Sequence, residues 1–352
     1  MPFLKDCWYV AAWSEEIEAG KPCHQQIIGE HVVLFRGDDG NVIALNDTCP
    51  HRFAPLHMGK IIGNQIECPY HGLRFEKSGQ CAFNPFDADF KSSMASVPAY
   101  PVVERDKIIW IWLGNSERAD EGLIPDYGWI NNEDEYTFTR FLQMRQPINY
   151  ELVLDNLMDL SHGQFLHPTT LGNEAMASGT TKNRASERTV HSDRLNPNGA
   201  APTLFVIGGG AKEGEKVDFW NDMRWDAPSI YFLQVGVTPA GEPRENGVLI
   251  QSAHLITPLD EENLVYRYVI ARNFAMGDED VTRGMEQVIE QAFTREDEPI
   301  LSQVQKRMAG RDFWELKPVI LKTDQAAIMV RRALDKLKRD EARRELPAQL
   351  VN

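Results

Sequence analysis

A chain of 352 residues, 42% hydrophobic and 25% charged, is long enough for two domains and buries enough core to need no disulfide staples. Its net charge of −15 argues against a nucleic-acid partner, which would require clustered Lys and Arg. Lys5 and Asp6 interrupt the apolar N-terminal residues, no run approaches the ~18 apolar residues of a membrane span, and the five cysteines are an odd number. A cytoplasmic protein without disulfides or membrane contact is the expectation.

In chain order, residues 1–120 read as a small all-β domain. Short β-branched or alternating runs (Gln25–Ile28, His31–Arg36, Val42–Leu45, Ile108–Leu113) are separated by turn chemistry such as Asp38-Asp39-Gly40-Asn41 and Lys77-Ser78-Gly79-Gln80. A polar, acidic stretch over 115–135 marks a boundary, and residues 121–352 read as an α+β domain. Its apolar spacing predicts one or two helices over Asn149–His167, antiparallel strands over 203–256, and helices over Asp278–Met308 and Thr323–Lys338. Asp324 is placed to cap the last of these, with Ala327, Val330, Ala333, Leu334 and Leu337 on or near its apolar face. The fold class is α+β, an antiparallel sheet flanked by helices following the β domain.

The first chemical signal is Cys49-Pro50-His51, sixteen residues, then Cys68-Pro69-Tyr70-His71. Two Cys and two His can hold structural zinc. Zinc fingers, however, pair Cys with Cys and His with His, whereas each loop here supplies one of each. That mixture suits a Rieske [2Fe–2S] cluster, with thiolates on one iron and imidazoles on the other. Cys7, Cys23 and Cys81 lack such pairing and read as small hydrophobes.

A cluster alone only carries an electron, so the longer half must supply the chemistry. His162 and His167 are five apart and converge if the helix ends or kinks near Gly163. Two His and one carboxylate form the facial triad of non-haem Fe(II) oxygenases, with open positions for O2 and substrate. The third ligand falls among Glu296, Asp297 and Glu298, between which spacing does not choose. Gly208-Gly209-Gly210 does not complete a dinucleotide fingerprint, since position 213 is Glu, so electrons are expected from a separate reductase or ferredoxin.

Over essentially its whole length the chain resembles Rieske aromatic oxygenases of the vanillate O-demethylase and dicamba monooxygenase group. The resemblance is carried by residues 6–10, 49–56, 68–73, 155–160, 220–225 and 271–274. It implies Asp297 as the third iron ligand and Asp159 as a carboxylate bridging cluster and iron histidines across subunits of a homotrimer. It also implies Asn156 as a polar residue near the iron and His254 as a substrate contact, whereas the strand 253–258 taken alone reads His254 as a satisfied core histidine. Leu233 and Val288 stand where the dicamba monooxygenase branch of that group has a polar Asn and a bulky Trp, so the pocket is expected to be roomier and less polar than in that branch. The implied reaction is O2-dependent O-demethylation of a methoxylated aromatic acid to a phenol and formaldehyde. Residues 167–172 resemble toluenesulfonate methyl-monooxygenases, so methyl or ring hydroxylation of an aromatic acid or arylsulfonate is the alternative. An electron carrier without oxygenase activity is the remaining one.

Overall fold

The computed structural model describes residues 2–87, 89, 95–172 and 179–345. The chain divides into two compact units, Met1–Gly128 and Trp129–Asn352.

In the first unit, β-branched and aromatic runs build three small antiparallel sheets. Strands Cys23–Ile27 and Glu30–Arg36 form a hairpin completed by Val42–Asn46. The hairpin turns at Ile28-Gly29, both at positive φ (46° and 86°). Such a two-residue turn matches the right-handed twist of its strands; Gly29 adopts it freely and Ile28 under strain. The register sets His24 opposite Val33 and Gln26 opposite His31. His24 and His31 therefore share one face. Lys60–Ile62, Gln65–Glu67, Arg74–Glu76 and Cys81–Phe83 make a four-stranded meander, and Ile108–Trp112 lies between Trp8–Trp13 and Val102–Arg105. Ile108–Trp112 is buried throughout, as an uninterrupted apolar run requires. Val33, Phe35, Leu45, Leu56, Ile66 and Phe75 pack around Cys49, Cys68 and Cys81. Cys7 and Cys81 are buried, in keeping with their reading as small hydrophobes, and Cys23 is partly buried.

The second unit is an eight-stranded antiparallel sheet. Thr137–Phe138 and Leu142–Gln146 both pair with Leu264–Arg272, followed by Val248–Pro258, Ile230–Pro239, Lys216–Asp226, Thr189–Ala200 and Thr180–Ala185. The strands expected over 203–256 begin later, because Thr203–Ile207 is a one-turn helix, and the sheet extends further in both directions along the chain. Its long strand Leu264–Arg272 is buried on both faces.

Helix Tyr150–Met158 starts at Asn149, whose side chain accepts the Glu151 N–H. The helical stretch expected over 278–308 is present with one departure. Helices Glu279–Gln291 and Glu298–Met308 are joined by a π-helical turn, Ala292–Asp297. The C-terminal helix, Gln325–Glu345, buries Ala327, Val330, Leu334 and Leu337 as its spacing predicts, while Ala333, at the edge of that face, is half-buried. Asp324 does not cap it: that carboxylate accepts the Leu321 N–H instead. Among the described residues no helix is long and apolar enough to cross a membrane.

Candidate metal centres and substrate cavity

The two Cys-Pro loops of the first unit have one geometry. In each, the cysteine carbonyl accepts an N–H from four residues on (Phe53, Gly72), and the cysteine N–H bonds to the carbonyl one residue further (Ala54) or as Leu73. Phe53 and Gly72 both sit at positive φ. Matching loops bring like donors together: the Cys49 thiol neighbours that of Cys68, and the His51 and His71 rings lie 4.5 Å apart.

These four donors do not gather around one point. Among the described residues, two sets of three donors fall within 4.8 Å of each other, and neither includes Cys49, His51, Cys68 or His71. A single zinc ion needs one such focus; a two-iron cluster needs a sulfur pair and an imidazole pair separated by its own width. His71 Nδ1 is buried with no hydrogen-bond partner, a cost the fold removes when the atom is a ligand. Burial and the adjacent Cys68 sulfur push the Cys49 thiol up to about 11, and a bound metal ion would favour its thiolate. The residues fit a [2Fe–2S] cluster.

The second centre is assembled from two segments. The helix Tyr150–Met158 ends at Asp159, whose carboxylate caps the turn Leu160–His162 by accepting the Ser161 N–H. The break, followed by the one-turn helix Gly163–Leu166, swings His162 and His167 to one side, with ring centroids 5.2 Å apart. Across from them the π turn, a geometry frequent at functional sites, delivers Glu296 and Asp297.

Asp297 Oδ1 lies 3.3 Å from His167 Nε2 and 3.6 Å from His162 Nε2. The other nitrogen of each ring is engaged. His162 Nδ1 donates to the Asp159 carbonyl (2.7 Å) and His167 Nδ1 to Glu296 Oε2 (2.6 Å). Both Nε2 lone pairs are thereby turned toward Asp297, the arrangement by which outer partners orient metal-binding histidines. Asn156 Nδ2 donates to Asp297 Oδ1 at 3.0 Å and lies 3.3 Å from His162 Nε2.

The structure thus separates the three acids that spacing left equivalent. Asp297 faces both imidazoles. Glu296 braces His167 and is itself held by Thr170 and Gln291. Glu298 starts the next helix. The bracing trio Glu296, Thr170 and Gln291 was not anticipated from sequence, where Glu296 competed for the ligand role.

Above the triad opens a cavity of about 120 Å³. Asn156, Leu233 and His254 line it with the three triad residues, whereas Val288 does not; Ile289 takes that place. The buried side of that helix carries Met285, Glu286 and Ile289, and one residue rotates the side chain by about 100°, so an expectation placed at 288 misses the face. Asp159 is also absent from the lining, and what it gives His162 is its carbonyl. His254 Nε2 lies 2.7 Å from Ser252 Oγ and its Nδ1 2.7 Å from the Tyr266 hydroxyl. Burial pushes its imidazolium down to about 3, so the ring is neutral. No Lys or Arg lines the cavity among the described residues.

Comparison with known proteins bears directly on this arrangement. Residues 7–101 match the Rieske [2Fe-2S] domain family, and residues 148–340 match the vanillate O-demethylase oxygenase C-terminal domain family. The chain belongs to the vanillate O-demethylase family of Rieske oxygenases. It is 35% identical to the oxygenase component of chloroacetanilide N-alkylformylase from Rhizorhabdus wittichii, over 98% of this chain and 99% of that one. It is 34% identical to the oxygenase component of dicamba O-demethylase from Stenotrophomonas maltophilia, over 97% and 100%. A crystal structure of dicamba monooxygenase bound to 3,6-dichlorosalicylic acid superimposes with a TM-score of 0.89 at 34% identity, covering 97% of this chain and 99% of that one. As a Rieske oxygenase the protein is an enzyme whose cofactors are a [2Fe–2S] cluster and non-haem iron, with O2 as co-substrate.

Proposed function

We propose that this Rieske oxygenase performs the oxidative dealkylation of an uncharged aromatic ether or anilide. O-demethylation is the case in which the leaving alkyl group is methyl. Cys49, His51, Cys68 and His71 would hold the cluster in a Rieske domain of residues 1–120, and His162, His167 and Asp297 the iron in a catalytic domain of residues 121–352; the compact units divide slightly later, after Gly128. When bound, these groups supply O2 activation and the electrons it consumes. The balance for a methoxyarene is ArOCH3 + O2 + 2 e⁻ + 2 H⁺ → ArOH + HCHO + H2O, the electrons arriving from a separate reductase or ferredoxin.

The protein's own residues perform the positioning. Glu296 and the Asp159 carbonyl hold both imidazoles in one tautomer and orientation. Asn156 donates to Asp297 and holds its carboxylate in place beside His162. Phe293, Leu157 and Leu233 make the space beside the triad apolar, excluding bulk water from the reacting carbon. Asp159 remains the proposed link to the cluster of a neighbouring subunit in a homotrimer.

The observation that carries the substrate class is the absence of any cation among the described lining residues, combined with a neutral His254 whose two nitrogens already have partners. A carboxylate entering this cavity would lose its hydration with no Lys or Arg side chain to receive it, and the one positive charge on offer would be an iron already neutralised in part by Asp297. This favours an uncharged ring over the aromatic acid expected from sequence. The relative named for a chloroacetanilide, a neutral anilide, points the same way.

The test is single turnover of fully reduced, iron-loaded protein with O2 and matched pairs: methoxybenzoate methyl esters, methoxybenzamides and N-alkoxymethyl anilides beside the corresponding free acids. Formaldehyde or another aldehyde should form from neutral members, with acids slower by about tenfold or more. Equal rates for acids would remove the charge argument. Hydroxymethyl products without aldehyde would favour methyl hydroxylation, and cis-diols would overturn the monooxygenase reading.

A further inference from the structure

The first unit holds a second cluster of metal-binding side chains, apart from the four cluster donors. His24 and His31 project from one face of the hairpin, and Asp47 and His57 flank the first Cys-Pro loop. His57 Nδ1 lies 2.5 Å from Asp47 Oδ2, and His24 Nε2 lies 4.0 Å from the same oxygen and 3.0 Å from His31 Nδ1. One donor atom from each of His24, Asp47 and His57 falls within 4.8 Å of the other two. We propose that His24, Asp47 and His57, assisted by His31, form a binding site for a divalent transition-metal ion, Zn²⁺ in the first instance.

Three features beyond proximity support the assignment. The Asp47 side chain is only 4% exposed, yet both of its ion-pair partners among the described residues are imidazoles. A buried carboxylate whose only such partners carry charge conditionally is poorly compensated, and a divalent cation compensates it fully. Its Oδ1 already accepts the His57 N–H at 2.7 Å, which fixes the carboxylate with Oδ2 turned toward the imidazoles. The side chains of His24 and His57 are each 31% exposed, so an ion has a path in and room for a water ligand. His31 is exposed, and its ring stacks on that of His24, with Nδ1 3.0 Å from His24 Nε2, within reach of the same ion.

Donor type selects the ion. Two or three imidazoles and one carboxylate suit Zn²⁺, Ni²⁺ or Cu²⁺ and disfavour Mg²⁺ and Ca²⁺, which demand oxygen shells. The place in the fold suggests what binding does. The Asp47 N–H donates to the His31 carbonyl and its own carbonyl accepts the Leu56 N–H. An ion held here joins the hairpin to the loop bearing Cys49 and His51, and stabilises that loop.

Full-length, iron-loaded protein should be desalted and titrated with ZnCl2 by calorimetry in excess Mg²⁺, following iron content and cluster absorbance in the same samples. One Zn²⁺ per chain should bind with no loss of iron, and it should raise the thermal midpoint. His24→Ala and His57→Ala should each weaken binding by about tenfold or more and abolish the thermal shift, while cluster absorbance stays normal. His31→Ala should weaken it less. Absence of binding, binding unchanged by both substitutions, or Zn²⁺ uptake that only displaces iron would overturn the proposal.

Discussion

Replacing Glu296 by Gln tests the division of labour between the two neighbouring acids. Glu296 Oε2 accepts from His167 Nδ1 at 2.6 Å and from Thr170 Oγ1 at 2.7 Å, and Oε1 accepts from Gln291 at 3.0 Å. Glutamine keeps the shape, the hydrogen-bonding oxygen and the packing but removes the charge. His167 is 3% exposed, so its ring has little solvent to fall back on. Loss of such an outer partner lowers metal affinity by about 10- to 100-fold, or about 1.4–2.7 kcal/mol. The assay is iron content after dialysis against graded chelator, with cluster absorbance as the internal control. Glu296→Gln should release mononuclear iron at lower chelator concentration and leave the cluster unchanged, while Asp297→Asn should not hold that iron at all. Wild-type affinity in Glu296→Gln would refute the bracing role. Complete loss there, with iron retained in Asp297→Asn, would exchange the roles of the two acids.

Three further outcomes are expected. Arg331, 4% exposed, bonds Asp155 at 2.7 and 2.6 Å and Glu151 at 2.9 Å. Arg331→Leu should cost about 3 kcal/mol in denaturant unfolding, because half-buried Asp155 loses its cation and Glu151 keeps only Lys338. Asp159→Asn should retain iron, since the carbonyl that holds His162 is unaltered, yet lower turnover by about tenfold or more when iron content and product are measured together. The His254 imidazolium, pushed down to about 3, lies below its unfolded value near 6.5, so the unfolded chain binds the extra proton between them. This group's contribution is therefore fully present above pH 6.5 and lost as pH falls toward 3, at up to about 1.4 kcal/mol per unit; that slope should vanish in His254→Asn, and ring NMR should find a neutral imidazole at pH 5.

The covalent spacing of a few residues determined a large part of this protein. Cys49, His51, Cys68 and His71 lie in two short loops, so their type and order alone distinguish a mixed cluster from a zinc finger. The two-unit organisation, the β character of the first unit and the helices expected over Asn149–His167, Asp278–Met308 and Thr323–Lys338 follow from local periodicity, which depends on near neighbours; the last helix runs on to Glu345. Resemblance to a family chose Asp297 among three adjacent acids; periodicity had no means to do so. The tertiary structure decided what depends on angles between distant segments. A π turn sets whether residue 296 or 297 faces the imidazoles, and a single helical step of about 100° moves the cavity wall from Val288 to Ile289. His24, Asp47 and His57 are up to 33 residues apart along the chain and meet only because a hairpin and a loop fold onto one another. The neutrality of His254 depends likewise on burial among strands, a quantity no local window of sequence contains.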